Sequence, residues 1–446
     1  MIADKNTQKS TPVPTLPLQN RLGWPNPWSI VAVLIAAVVV APMLSIIWLA
    51  LNPTENIWPH LLKTVLPRYL GNTLILMAGV GLLTASVGAG AAWLITMYRF
   101  PGRRWLGVAL LLPMAIPAYV GAYALVDFLD YSGVLQSTLR ATFGWTSARD
   151  YWFPQIRSIG MAIVVLSAAL FPYVFLLARA AFREQSGSTY EVARALGQGH
   201  WGVFWRLGLP LARPAIAAGV ALALMETVAD FGVVEHFGVQ TLTTGVFSTW
   251  LNGNNAGGAA QISGVILSLI LVLVTIERLS RRNARFHRPS RASRPIEPLQ
   301  LTGAKAWIAT LLCLFPFALG FVLPVSVMLA LAFSKPQVWL AKGLAQATLN
   351  TVIVGGIASV ITVSAALFLV YAVRLAGRGF ARWVLPVTTV GYAAPGAVLA
   401  VGLLIPLAAL DHRMADLVLD ITGHDPGLFI TGSSAAIILA YVGRFF

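Results

Sequence analysis

Two carboxylates, Glu226 and Asp230, stand four residues apart in the run AAGVALALMETVADFGVVEHFGVQ (217–240), which carries no other charged residue before Glu235 and His236. On a helix that spacing places both on one face. Carboxylates in a stretch this apolar are costly in a bilayer, and they face a partner or a cavity. Two chemistries fit. Carboxylate oxygens are the ligands preferred by hard cations such as Fe(III), so the pair, with Glu235 near an outer mouth, makes a transient cation path. Alternatively, Glu226 or Asp230 pairs with an arginine or caps a helix broken at Gly232. No residues form a catalytic constellation of nucleophile and base, and no ligand spacing fixes a metal. No lysine directly follows a glycine, so the phosphate-cradling G-x-x-x-x-G-K-[ST] loop is absent.

A second stretch, YEVARALGQGHWGVFWRLGLPLARP (190–214), is polar and arginine-bearing between two apolar runs. Glu191 to Leu196 is good helix-forming sequence, and Gly197 then allows a turn that other residues resist. Trp201, Phe204 and Trp205 follow at helical spacing and predict one aromatic face. Pro210 and Pro214 are expected to stop this short helix and open the next span. The product is a compact helix–turn–helix knob, with Arg194, Arg206 and Arg213 around it. Such a knob docks on a partner or rests on lipid as an interfacial helix.

The elements that position these residues follow from composition. The chain is 57% hydrophobic and 11% charged, against about a quarter charged in soluble domains. Nine runs lack Lys, Arg, Asp and Glu: Leu22–Thr54, Leu70–Tyr98, Trp105–Val126, Ser158–Ala178, Phe237–Ile276, Ala306–Ser334, Gly343–Val373, Trp383–Leu410 and Pro426–Gly443. A tenth, Pro214–Val234, carries only Glu226 and Asp230. A helix needs about 20 apolar residues to cross a bilayer. The runs lack the alternation of a transmembrane barrel, so helices that satisfy their own backbone are expected. The first is read as a retained span rather than a secretory signal.

A net charge of +15 raises a nucleic-acid partner, but its distribution excludes one. With a cytoplasmic N-terminus, cytoplasmic loops hold Arg99, Arg103, Arg104, Arg179 to Arg213, Arg278 to Arg294, and Arg374, Arg378 and Arg382. Opposite loops hold Glu55, Asp127, Asp130, Asp150, Glu235, Asp411, Asp416, Asp420 and Asp425. This is the positive-inside asymmetry. His412 and His424 with their neighbouring acids have no regular spacing and read as a solvated external loop. Pro113, Pro117, Pro386 and Pro395 read as helix kinks or ends. Cys313 lies inside a span, so no disulfide framework exists.

The chain repeats itself. Asn72-Thr73 and Asn350-Thr351, Arg104-Trp105 and Arg382-Trp383, and Ala115-Ile116-Pro117 and Ala393-Ala394-Pro395 are each separated by 278 residues. Residues 1–28 form an N-terminal cytoplasmic segment, 29–278 a first transmembrane domain, 279–304 a basic cytoplasmic linker, and 305–446 a second domain. Leu177-Ala178-Arg179 also matches Val442-Gly443-Arg444, which places the counterpart of Glu191 beyond Phe446. A longer protein with ten of twelve helices present is therefore expected.

The pattern Glu191, Ala193, Gly197, Phe204, Leu209-Pro210 and Pro214 resembles the EAA loop of the permease subunits of ABC importers, with Val192 in place of the second alanine. The run from Ala217 to Trp250 and the duplicated layout resemble the ferric-iron permeases of binding-protein-dependent importers, whose relatives carry thiamine, polyamines, phosphonate or sulfate. The resemblance covers nearly the whole chain. It implies an all-α polytopic fold of two tandem type I importer domains, about six helices each, the second incomplete. It implies a multi-pass protein of the bacterial inner membrane, surrounded by lipid. Its partners would be two copies of a separate ATPase, which holds ATP and Mg, and a periplasmic or lipid-tethered binding protein. Carried over by position, Glu191, Ala193, Arg194, Gly197, Trp201, Phe204 and Pro210 would form the ATPase-coupling surface. An ion-coupled secondary transporter, which also has repeated halves and intramembrane acids, would have no ATPase for such a loop to meet.

Overall fold

The computed structural model describes residues 27–53, 56–282, 296–376, 388, 394–424 and 427–445. The N-terminal segment, most of the linker (283–295), Glu55, Arg378, Arg382-Trp383, Pro386, Ala393 and Asp425-Pro426 lie outside them. Helices dominate: α1 (Pro27–Leu51), α2 (Leu66–Met97), α3 (Ala118–Leu129), α4 (Ile159–Glu184) and α5 (Gly187–Ala195) come first. Then follow α6 (His200–Ala229), α7 (Ala256–Arg282), α8 (Ala304–Ser334), α9 (Leu344–Ala376), α10 (Gly396–Thr422) and α11 (Ser434–Phe445). Eight of the described helices are long and apolar enough to cross a bilayer, or nine with one bent pair counted as a span.

The ten expected spans differ from this in three places. Trp105–Val126 is not one straight helix. The chain bends by 96° between Arg103–Ala115 and Ala118–Phe143, because Pro113 sits in a 3₁₀ turn and Pro117 holds an extended ψ of 135° before α3. Phe237–Ile276 divides at Gly253 to Asn255 into a short helix, opened by a Thr241–Thr244 capping box, and α7. The last run yields only the 12-residue α11. Its expected external loop is also revised. Asp411 and Asp416 lie on α10, and Asp411 is fully buried, accepting backbone N–H bonds from Phe429, Ile430 and Thr431 at 2.7 to 2.9 Å.

The 278-residue spacing recurs in the helices. α2 and α9 start at Leu66 and Leu344, and α3 and α10 at Ala118 and Gly396. Pro117 (φ −56°, ψ 135°) and Pro395 (φ −58°, ψ 147°) cap the second pair alike. The same proline therefore pre-sets the helix that follows it in both places. α2, α4 and α6 form the central layer of the first half, and α1 packs on α7 as well as on α9 and α10.

Close approach in that layer rests on small residues. A Cβ on Gly88 of α2 would meet Val174 and the Phe171 carbonyl at 2.7 and 2.9 Å, and one on Gly219 of α6 would meet the Val174 backbone at 2.7 Å. Both neighbours therefore reach α4 at one point, as small residues permit in membranes. A Gly88→Val substitution is expected to destabilise the layer by about 1–3 kcal/mol through overpacking. Thermal unfolding in detergent checks it; an unchanged midpoint contradicts this packing.

Candidate functional site

The knob forms as its sequence dictates, with one revision. α5 ends in a Schellman motif: Gly197 N–H bonds the Arg194 carbonyl at 2.9 Å and Gln198 N–H the Ala193 carbonyl at 3.1 Å. Gly197 takes φ +80°, where a side chain is strained. The chain then turns into α6. Pro210 and Pro214 do not stop a helix there, because α6 runs unbroken from His200 to Ala229. A π-turn at Phe204–Gly208, closed by the Leu209 N–H to Phe204 carbonyl bond, lies immediately before Pro210. That wider turn accommodates the proline ring and its missing donor within a continuous rod. α8 repeats the device, with a π-turn at Ala318–Val322 ahead of Pro324.

The knob is seated on aromatic rings. Trp93, near the end of α2, contacts Phe182 of α4, Tyr190 of α5 and Phe204 of α6, with ring centroids 5.3, 6.0 and 5.1 Å away. Edge-to-face geometry of this kind adds to simple burial. A Cβ on Gly208 would meet Trp93 at 2.4 Å, so Gly208 lets α6 lie against the indole. The Tyr190 hydroxyl donates to Gln185 Oε1, and burial pushes the phenol up. Tyr98 stacks on His200 at 6.1 Å. Trp93, Phe182 and Gly208 were not singled out in the sequence, since their apolar runs gave no sign of which rings converge.

The predicted coupling residues divide by exposure. Glu191, Arg194, Gly197, Trp201 and Trp205 are exposed, whereas Ala193, Phe204 and Pro210 are partly buried. The three predicted rings touch: Phe204 contacts Trp201 at 6.4 Å and Trp205 at 5.1 Å. Phe204 faces inward to Trp93 and the tryptophans face outward. The result is a rigid surface of mixed charge and aromatic character that holds no nucleotide motif of its own.

The carboxylates do not share one helix face. α6 ends at Ala229, and Asp230 turns to an extended ψ of 131°. Its Oδ1 accepts the N–H of Val233 at 2.9 Å and of Val234 at 3.4 Å, capping the short Gly232–His236 helix. Glu226 lies 3.5 Å from Arg444 of α11, both about 29% exposed. One carboxylate therefore pairs with an arginine and the other caps a broken helix. Glu235 is exposed on that short helix. His236 lines a cavity of about 230 Å³ with Tyr123, Asp127, Asp130 and Arg157. Burial, then the Arg157 guanidinium, pushes its imidazole below the usual range. Asp127 and Asp130 border this cavity and are themselves exposed to solvent.

Trp93→Ala is expected to cost about 3–5 kcal/mol, the usual range for a buried aromatic, and to release α5. Hydrogen exchange over residues 187–208 checks this, and unchanged protection there removes the aromatic seat. A double-mutant cycle on Glu226→Gln and Arg444→Gln is expected to give a coupling of about 1 kcal/mol or less, read by thermal unfolding in detergent. A much larger coupling contradicts a partly exposed pair.

With this geometry in place, the comparisons with known proteins are direct. Residues 81–285 match the family described as "Binding-protein-dependent transport system inner membrane component". The Fe(3+)-transport system permease protein FbpB 2 of Haemophilus influenzae is 25% identical over 77% of this chain and 64% of its own length. This chain therefore spans less than two thirds of that relative. The molybdenum transport system permease protein ModB of Escherichia coli is 29% identical over 46% of this chain and 90% of its own. One chain of a bacterial alginate ABC transporter, solved in complex with an alginate pentasaccharide-bound periplasmic protein, aligns over 55% of this chain and 88% of that one at 20% identity and a TM-score of 0.45. The matched segment contains both the aromatic-seated knob and the continuous α6, and over residues 81–285 this chain is similar to the binding-protein-dependent transport system inner membrane components.

Proposed function

We propose that this chain is the membrane-spanning part of an ATP-driven importer in the bacterial inner membrane, that its knob docks on a separate ATPase, and that its cargo is ferric iron. The observation that carries the docking is the exposed face of Glu191, Arg194, Gly197, Trp201 and Trp205, backed by a buried ring cluster. A floppy loop would absorb a push; a knob wedged on Trp93 passes it on. α6 extends without a break from His200 to Glu226, roughly 40 Å at 1.5 Å per residue. Movement of the ATPase dimer at the knob would therefore tilt one rod whose far end holds the intramembrane acid. The knob end faces the cytoplasm in this reading, and the opposite face receives a binding protein.

The Glu226–Arg444 pair ties α6 to α11. Relative motion of these helices would separate the pair and free a carboxylate for a passing cation, so pairing and transport become alternate states of one residue. What supports iron is that the Fe(3+) relative matches over 77% of this chain. An oxyanion cargo is favoured instead by the higher identity of the molybdenum relative, 29% over 46% of this chain.

Gly197→Tyr is expected to abolish stimulation of the partner ATPase while leaving membrane insertion intact; normal transport by this variant would refute docking. Uptake of labelled Fe(III), molybdate and sulfate in a deletion strain complemented with the gene chooses the cargo, with iron accumulating in our reading. Glu226→Gln/Asp230→Asn with normal assembly is expected to lose iron uptake, and unaltered uptake removes the carboxylate path.

A further inference from the structure

A cavity of about 380 Å³ opens at the knob end of α2 and α4, lined by Thr96, Arg103, Arg104, Arg179 and Arg183, with Ile296 of the linker. No acid lines it, and among the described residues none of the four arginines forms an ion pair. The linker residues 283–295 contain no Asp or Glu; they add Arg285, Arg288, Arg291 and Arg294, charges of the same sign. Thr96 is 7% exposed, and its hydroxyl has no hydrogen-bond partner. Buried polar groups in folded proteins are normally satisfied. Four like charges around a buried, unpaired hydroxyl form a site lacking its counterpart.

Two of the guanidinium groups are held in place by backbone. Arg103 Nε donates to the Ile95 carbonyl at 2.7 Å, and Arg179 Nη1 to the Gly107 carbonyl at 2.5 Å. Their remaining N–H groups are left for a ligand, and guanidinium forks match phosphate oxygens two at a time. We propose that this cavity binds a phosphate-bearing anion, with Arg103, Arg179 and Arg183 on its oxygens and the Thr96 hydroxyl donating from the buried end. The volume leaves room for the glycerol or sugar that carries the phosphate. The bound anion joins α2, α4 and the linker strand Leu299–Gln300, which already pairs with Tyr98–Arg99 beside the knob. Its source is either an anionic lipid headgroup at the membrane surface or a soluble phosphate ester. The site is built from this chain alone and stands whether or not the knob docks an ATPase.

The test uses the purified full chain in neutral detergent titrated with inorganic phosphate, against chloride at equal ionic strength, and in phosphatidylglycerol against phosphatidylcholine nanodiscs. Unfolding midpoints and native mass spectrometry report binding. Stabilisation by phosphate supports a soluble ester, and stabilisation by phosphatidylglycerol alone supports a headgroup. In either case Arg103→Gln/Arg183→Gln is expected to weaken binding at least about tenfold, with the distant, exposed Arg149→Gln unchanged. No response to either ligand, or an equal response in the double variant, overturns the site. Should the double variant not fold, Thr96→Val decides, since it keeps shape and removes the hydroxyl: weakened retention supports the site and wild-type retention overturns it.

Discussion

The seating of Trp93 against Phe182, Tyr190 and Phe204 is the contact on which the rest of this structure depends. It joins four helices at the end of the bundle where the knob emerges. Without it, α5 would be a short exposed helix of nine residues, and isolated helices of that length are not stable in water. With it, the knob and three membrane helices form one body. The burial of Gly208 against the same indole extends that body into α6.

Rigidity in α6 is maintained in a specific way. Proline inside a helix removes a donor and pushes a carbonyl aside, so Pro210 ought to interrupt the rod. The π-turn just before it widens the backbone by one residue and keeps the path continuous. α8 uses the same turn before Pro324. Elsewhere prolines do break the chain, at Pro117 and Pro395, where an extended residue precedes a new helix. The same residue type therefore separates elements in one place and is absorbed in another. Pro42, Pro172 and Pro406 also lie inside helices, so the wider turn is one way of absorbing a proline and not the condition for it.

Charge is handled by pairing rather than by solvation alone. Asp230 and Asp411 each satisfy backbone N–H groups at chain reversals, and Glu226 meets Arg444 across two helices. The arginines around Thr96 are the exception, a concentration of positive charge with no acid among the described residues that line the cavity. In a protein with so few charged residues, that imbalance marks a place where something from outside completes the structure.

Much of this was legible in the sequence because it depends on local chemistry. Charge-free runs of sufficient length dictate membrane helices, Gly197 dictates a left-handed helix end, and the 278-residue matches locate equivalent helix starts. Prolines and intramembrane acids were recognisable as special residues, and pairing or capping was one of two roles legible for the acids, but which acid did which was not. Whether Pro210 stops a helix, whether Asp230 shares a face with Glu226, and whether Asp411 meets water are settled by the backbone geometry and neighbours that the folded chain provides. Arg444 lies 218 residues from Glu226, and Trp93 lies 111 residues from Phe204. Pairings over such separations leave no local period in the sequence. Composition and spacing determined which segments are helices and where they start; tertiary packing alone decided which rings and charges meet.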